Sequence, residues 1–87
     1  MIKLISIRPA GEAALDLVFS DGSSGRWSAD ALIARNTELT QLLADPAYFI
    51  RAFIEAGALA WPNGLELSAH GLYRRLDEAG GLTRKAA

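Results

Sequence analysis

From Ala14 to Ser20 the side chains sort by parity, with Leu15, Leu17 and Phe19 on one side and Asp16, Val18 and Ser20 on the other. A period of two is the signature of a strand with one buried face, because successive side chains leave a pleated backbone in opposite directions. Upstream, Ile2 to Arg8 is rich in β-branched residues and predicts another strand, stopped by the breakers Pro9-Ala10-Gly11. Downstream, Asp21 and Gly22 tolerate positive φ, so Ser20 to Gly25 is expected to close a hairpin onto a short third strand ending at Arg26-Trp27.

The pattern then changes. Ser28 is placed to accept from the first N–H groups of a short helix starting at Ala29, anchored by Leu32 and Ile33. Asn36 and Thr37 interrupt it and predict a second helix in which Leu39, Leu42 and Leu43 form an apolar stripe. Asp45-Pro46 supplies an N-cap and a proline suited to the first helical position, predicting one turn through Phe49. Ile50 to Glu55, Ala56-Gly57 and Ala58 to Trp61 predict a hairpin, and Pro62-Asn63-Gly64 a tight turn into Leu65-Glu66-Leu67. Ser68 caps a final helix facing inward through Leu72, Tyr73 and Leu76, which Gly80-Gly81 ends. Hairpins dominate, so the expected fold is α+β: a small antiparallel sheet with helices packed on one face, in the order strand-strand-strand-helices-strand-strand-helix. A single domain over residues 1–79 and a flexible tail over 80–87 complete the reading.

Composition narrows the function classes. The chain has 87 residues, 51% of them hydrophobic, no cysteine and a net charge of −1. That excludes a disulfide framework, a thiolate metal site, a thiol nucleophile and a strongly basic nucleic-acid coat. The longest charge-free stretch, Ala56 to Leu65, contains Pro62 and Gly64 and falls far short of the roughly 20 apolar residues of a membrane span. The apolar stretch at the N-terminus is shorter than a signal-peptide core. A cytoplasmic protein is expected. Residues 74–87 carry a net +2 against −3 for residues 1–73, but with no recognition helix this is read as a solvated helix end, and direct nucleic-acid binding without a partner is not expected.

Candidate chemistry is sparse. His70 is the one histidine, and a zinc site needs at least three protein ligands. The serines at 20, 23, 24 and 28 read as turn and cap residues rather than nucleophiles. Gly22-Ser23-Ser24-Gly25 lacks the lysine of a phosphate loop and opens a strand, not a helix. Asp77 and Glu78 are adjacent, so they diverge on a helix and read as surface partners for Arg74. Trp61-Pro62-Asn63-Gly64 is the most individual segment. A large aromatic at a strand end either plugs the core or walls a pocket, and with Tyr73 and the Asn63 turn it can form a polar-rimmed concavity.

Three blocks carry a resemblance: Phe19-Ser20-Asp21-Gly22, Leu43-Ala44-Asp45-Pro46-Ala47-Tyr48-Phe49, and Leu59 to Ser68 continuing through Leu72-Tyr73. In order and spacing they resemble the small bacterial proteins called DUF2442, over residues 1 to 76. The resemblance implies a compact α+β domain of bacterial or phage origin with no established enzymatic activity. It implies a partner of a second small protein, often in two-gene arrangements read as toxin and antitoxin. Some members carry an added helix-turn-helix domain, for which this sequence has no room. It also departs from the family pattern, which commonly has aspartate where Glu66 stands and an acidic or similar residue where His70 stands.

The residues carried over by the resemblance are Asp21, Gly22, Trp61, Pro62, Asn63, Gly64, Glu66 and Tyr73. The reading reached is a non-catalytic interaction module, a homodimer or the antitoxin-like or regulatory partner of a small bacterial protein, with no cofactor and no metal. The alternative is a small-ligand sensor with its pocket near Trp61 and Tyr73.

Overall fold

In the computed structural model, which describes residues 1–84, the first three strands are β1 (Leu4–Pro9), β2 (Ala14–Phe19) and β3 (Ser24–Ser28). They pair antiparallel in sequence order. As the alternation predicts, Leu15, Leu17 and Phe19 are buried, and Trp27 opposite Leu15 joins them. On the solvent face Asp16 stands directly across from Arg26, and the two form an exposed ion pair at 2.8 Å. Strand β1 breaks simple parity. Leu4 pairs with Phe19 and Ser6 with Val18, so Ile5 is an extra residue in the ladder. This bulge brings Leu4 and Ile7 to the core face although they are three apart, and leaves Ile5 61% exposed.

Helix α1 (Asp30–Arg35) starts one residue later than expected, with Ala29 at its N-cap position and Ser28 Oγ accepting from Asp30 N, and ends at Asn36 in the left-handed region. The leucine stripe predicted after it does not form. Thr37 and Thr40 instead bond each other's backbone N–H groups reciprocally, and a 3₁₀ turn follows over Gln41–Ala44. At about three residues per turn, positions i and i+3 eclipse. Leu39 and Leu42 therefore lie outward, 44% and 42% exposed, while Leu43 is fully buried. Asp45 ends this turn and caps α2 (Pro46–Phe49), accepting from Ala47 N at 3.0 Å.

Strands β4 (Phe53–Glu55), β5 (Ala58–Ala60) and β6 (Glu66–Leu67) form a second antiparallel sheet. The single sheet expected from the sequence is thus two, which share one core that also takes Leu72 and Leu76 of α3 (Ala69–Glu78). The sheets meet where β1 lies beside β4 and Leu4 N donates to Gly57 O at 2.8 Å. The α+β class holds, with the helices covering the core and one face of the first sheet left to solvent.

A further correction concerns the C-terminal tail. Gly80 turns at φ +73, Gly81 N donates to Leu76 O at 2.8 Å, and Leu82–Thr83 forms β7, an added strand on β3. Gly25 permits this approach: a Cβ there would stand 2.7 Å from Gly81 O. The rest of the expected tail, residues 85–87, lies outside the described residues.

Candidate functional site

The turn after Trp61 is built by its own residues. Gly64 N donates to Trp61 O across Pro62-Asn63, Gly64 adopts φ +94, and Trp61 N then donates to Leu65 O. Proline suits the second position of such a turn, and glycine the positive φ that follows. Asn63 fastens it on three sides. Its Oδ1 accepts from Leu65 N, its Nδ2 donates to Leu39 O, and its backbone N donates to Tyr48 Oη at 2.9 Å. Trp61 itself is 1% exposed, donates from Nε1 to Phe49 O at 3.0 Å, and packs with Phe49 and Trp27 at centroid distances of 5.8 and 6.3 Å. Of the two roles open to this residue, the geometry is that of a core plug.

Asp21 and Tyr73 do meet, from opposite ends of the chain. Asp21 sits in the β2–β3 turn, where Gly22 has φ +87 and Asp21 Oδ1 accepts from Ser23 N at 2.9 Å. Tyr73 on α3 packs edge-on against Phe19 at 5.2 Å and donates from Oη to Asp21 Oδ2 at 2.8 Å. Arg84, just past β7, donates to Tyr73 Oη and to Asp77 Oδ1, at 2.7 and 2.9 Å. The result is a surface chain of carboxylate, phenol, guanidinium and carboxylate. Asp21 is held below the ordinary aspartate range, first by the Ser23 N–H, then by the Tyr73 hydroxyl and the charge of Arg84. Arg84 is held more firmly in its charged form by Tyr73 and Asp77. Each polar group is already engaged within the chain, so the arrangement works as a latch tying the β2–β3 turn, α3 and β7 together.

The expected concavity walled by Trp61, Asn63 and Tyr73 is not assembled. Trp61 is sealed in the core, Asn63 bonds to Tyr48 rather than Tyr73, and Tyr73 is taken by Phe19 and Asp21. Glu66, exposed on β6, instead borders a shallow hollow with Lys3 and His70. Among the described residues no group of three or more His, Asp or Glu is placed to hold a metal ion, and no helix is long and apolar enough to cross a membrane.

Two features escaped the sequence reading. Arg84 was assigned to a loose tail, and its only signal was the excess of basic residues there. The other is the set of large apolar side chains left at the surface: Ile5, Leu39, Leu42, Ile50 and Phe53, all at least 40% exposed. All five lie in segments read as strand or helix.

Fold and site together define a small α+β domain in which two antiparallel sheets share one aromatic core and the conspicuous polar residues fasten turns. The chain belongs to the DUF2442 family: the family model, described as a protein of unknown function, matches residues 4–78. Comparisons with curated proteins and with solved structures give no match.

Proposed function

We propose that this chain is a non-catalytic protein-interaction module of the bacterial cytoplasm, an antitoxin-like or regulatory protein that seats a second polypeptide on the surface around Ile5 and Phe53. One observation carries the reading. Ile5 and Phe53 are 61% and 40% exposed on neighbouring strands, each of which ends its own sheet. Ile50, 60% exposed, precedes Phe53 by one turn of chain.

An edge strand offers unpaired backbone N–H and C=O groups, and apolar side chains beside it add the driving force for a partner to stay. The bulge at Ile5 matters here, because regular pleating would have given its direction to a different residue. The partner is a second copy of the chain or a different small protein, and both use the same surface. A pocket walled by Trp61, Asn63, Glu66 and Tyr73 draws no support from the geometry, since those side chains serve different parts of the fold.

Sedimentation of the purified chain, and its co-expression with the product of whichever gene adjoins its own, test the proposal. The expected result is a stoichiometric complex, or a dimer of the chain alone. A strictly monomeric chain that leaves its neighbour unbound contradicts it.

A further inference from the structure

Trp27 is buried, yet among the described residues nothing accepts from its polar end. It is 6% exposed, and among the described residues no internal oxygen accepts from its indole N–H, in contrast to Trp61 Nε1 on Phe49 O. Trp27 borders two hollows, both of which also include Arg75.

The more enclosed hollow, about 130 Å³, lies between α1 and the start of α3. On its side of the hollow α1 contributes no fully buried residue. Its apolar lining is the Trp27 indole with Leu32, Leu67 and Leu72, and its charged groups are Arg35 from α1 and Arg75 from α3. The ion pairs among the described residues are Arg26 with Asp16 and Arg84 with Asp77. Arg35 and Arg75 are in neither.

We propose that this hollow binds a small organic carboxylate with a compact apolar body. The chemistry has two parts. Guanidinium groups present planar N–H forks that match a carboxylate, and with no Asp or Glu among the described residues lining this hollow they select an anion over a neutral molecule. The leucines and the indole ring select against a fully hydrated anion such as inorganic phosphate, which would leave them uncovered. A dry cavity of about 150 Å³ takes a benzene molecule, so this hollow suits a body of about four to six carbons with its carboxylate toward the arginines. The site is independent of the Ile5–Phe53 surface and of any partner bound there.

Titration of ¹⁵N-labelled protein with isovalerate tests the proposal, read on the indole N–H resonances. The Trp27 indole is expected to shift saturably, with a dissociation constant in the range of about 0.1–10 mM for so small a ligand. The Trp61 indole, sealed against Phe49 O, is expected to stay in place and serves as the internal control for folding. Isovaleramide, of the same shape without the charge, and the double variant Arg35→Gln/Arg75→Gln are each expected to bind at least about tenfold more weakly. Both arginines are exposed, so the variant should keep the Trp61 resonance where it was. Absence of a saturable Trp27 shift up to about 50 mM overturns the proposal. Equal binding of isovaleramide, acetate or inorganic phosphate, or undiminished binding by the double variant, overturns it as well.

Discussion

The Trp61–Asn63 turn and the Asp21–Tyr73 latch are built from the same parts and end with different roles. Each joins an aromatic side chain to a glycine-containing turn and adds a bond from a distant segment. Around Trp61 the central bond is internal: the indole is 1% exposed and its N–H is satisfied by Phe49 O, while Tyr48 reaches across to Asn63 N in a half-buried position. Around Tyr73 the acceptor and the guanidinium stand in solvent, and only the ring edge on Phe19 is core. Burial therefore decides what a conspicuous residue is worth to the fold. An internal bond cannot be exchanged for water without leaving a polar group orphaned, whereas a surface bond can.

The sharpest way to break the comparison is Trp61→Ala. It should cost about 3–5 kcal/mol, the range for removing a buried large aromatic, measured by denaturant unfolding; a loss as small as that of a surface residue would place Trp61 outside the core. Asn63→Ala removes both side-chain bonds that pin the turn and should cost about 1–3 kcal/mol, with the backbone N–H of residue 63, which donates to Tyr48 Oη, less protected in hydrogen exchange. On the other side, Tyr73→Phe keeps the ring on Phe19 and should cost less than about 1 kcal/mol, seen as a small shift of the unfolding midpoint.

The smallest effect is with pH. Asp21 is lowered from the ordinary 3.8 by Ser23 N–H, the Tyr73 hydroxyl and Arg84. A carboxyl whose folded pKa is depressed contributes stability that is fully present above its unfolded value and is lost as pH falls through the folded one. The chain should accordingly lose stability below about pH 4, and Asp21→Asn should flatten part of that loss. Asp16, lowered by its bond to Arg26, contributes in the same direction, so Asp21→Asn alone leaves a remainder. An acid profile identical in Asp21→Asn and the parent would remove Asp21 from the latch.

The strength of each sequence signal tracks how local its cause is. Strand β2 is legible because its period of two is fixed by the pleat, and the start of α3 because Ser68 caps it through Gly71 N. Asp45-Pro46 is legible for the same reason. The bulge at Ile5 is not, since it is set by pairing with β2 and by the need to bring both Leu4 and Ile7 to the core. Leu39 and Leu42 mimic a helical stripe, but the Thr37–Thr40 bonds and the stop at Asp45 shorten that segment to a 3₁₀ turn and rotate them outward. Leu82 lacks an apolar neighbour in sequence and finds one in space only because Gly25 lets β7 approach β3. Of the residues singled out in advance, Asp21 and Tyr73 do meet, but 52 positions separate them, and no local pattern links residues so far apart.

The central claim is that the apolar side chains stranded on the neighbouring edges β1 and β4, rather than the conspicuous Trp61 segment, are where a second polypeptide binds. Sedimentation equilibrium of the chain, alone and mixed with the product of whichever gene adjoins its own, tests this directly when repeated with Ile5→Asp/Phe53→Asp. The account predicts an assembly of two chains for the parent, and a folded monomer with an unchanged Trp61 environment for the variant. An assembly of the same mass and affinity in the variant, or a parent that stays monomeric in both samples, would contradict it.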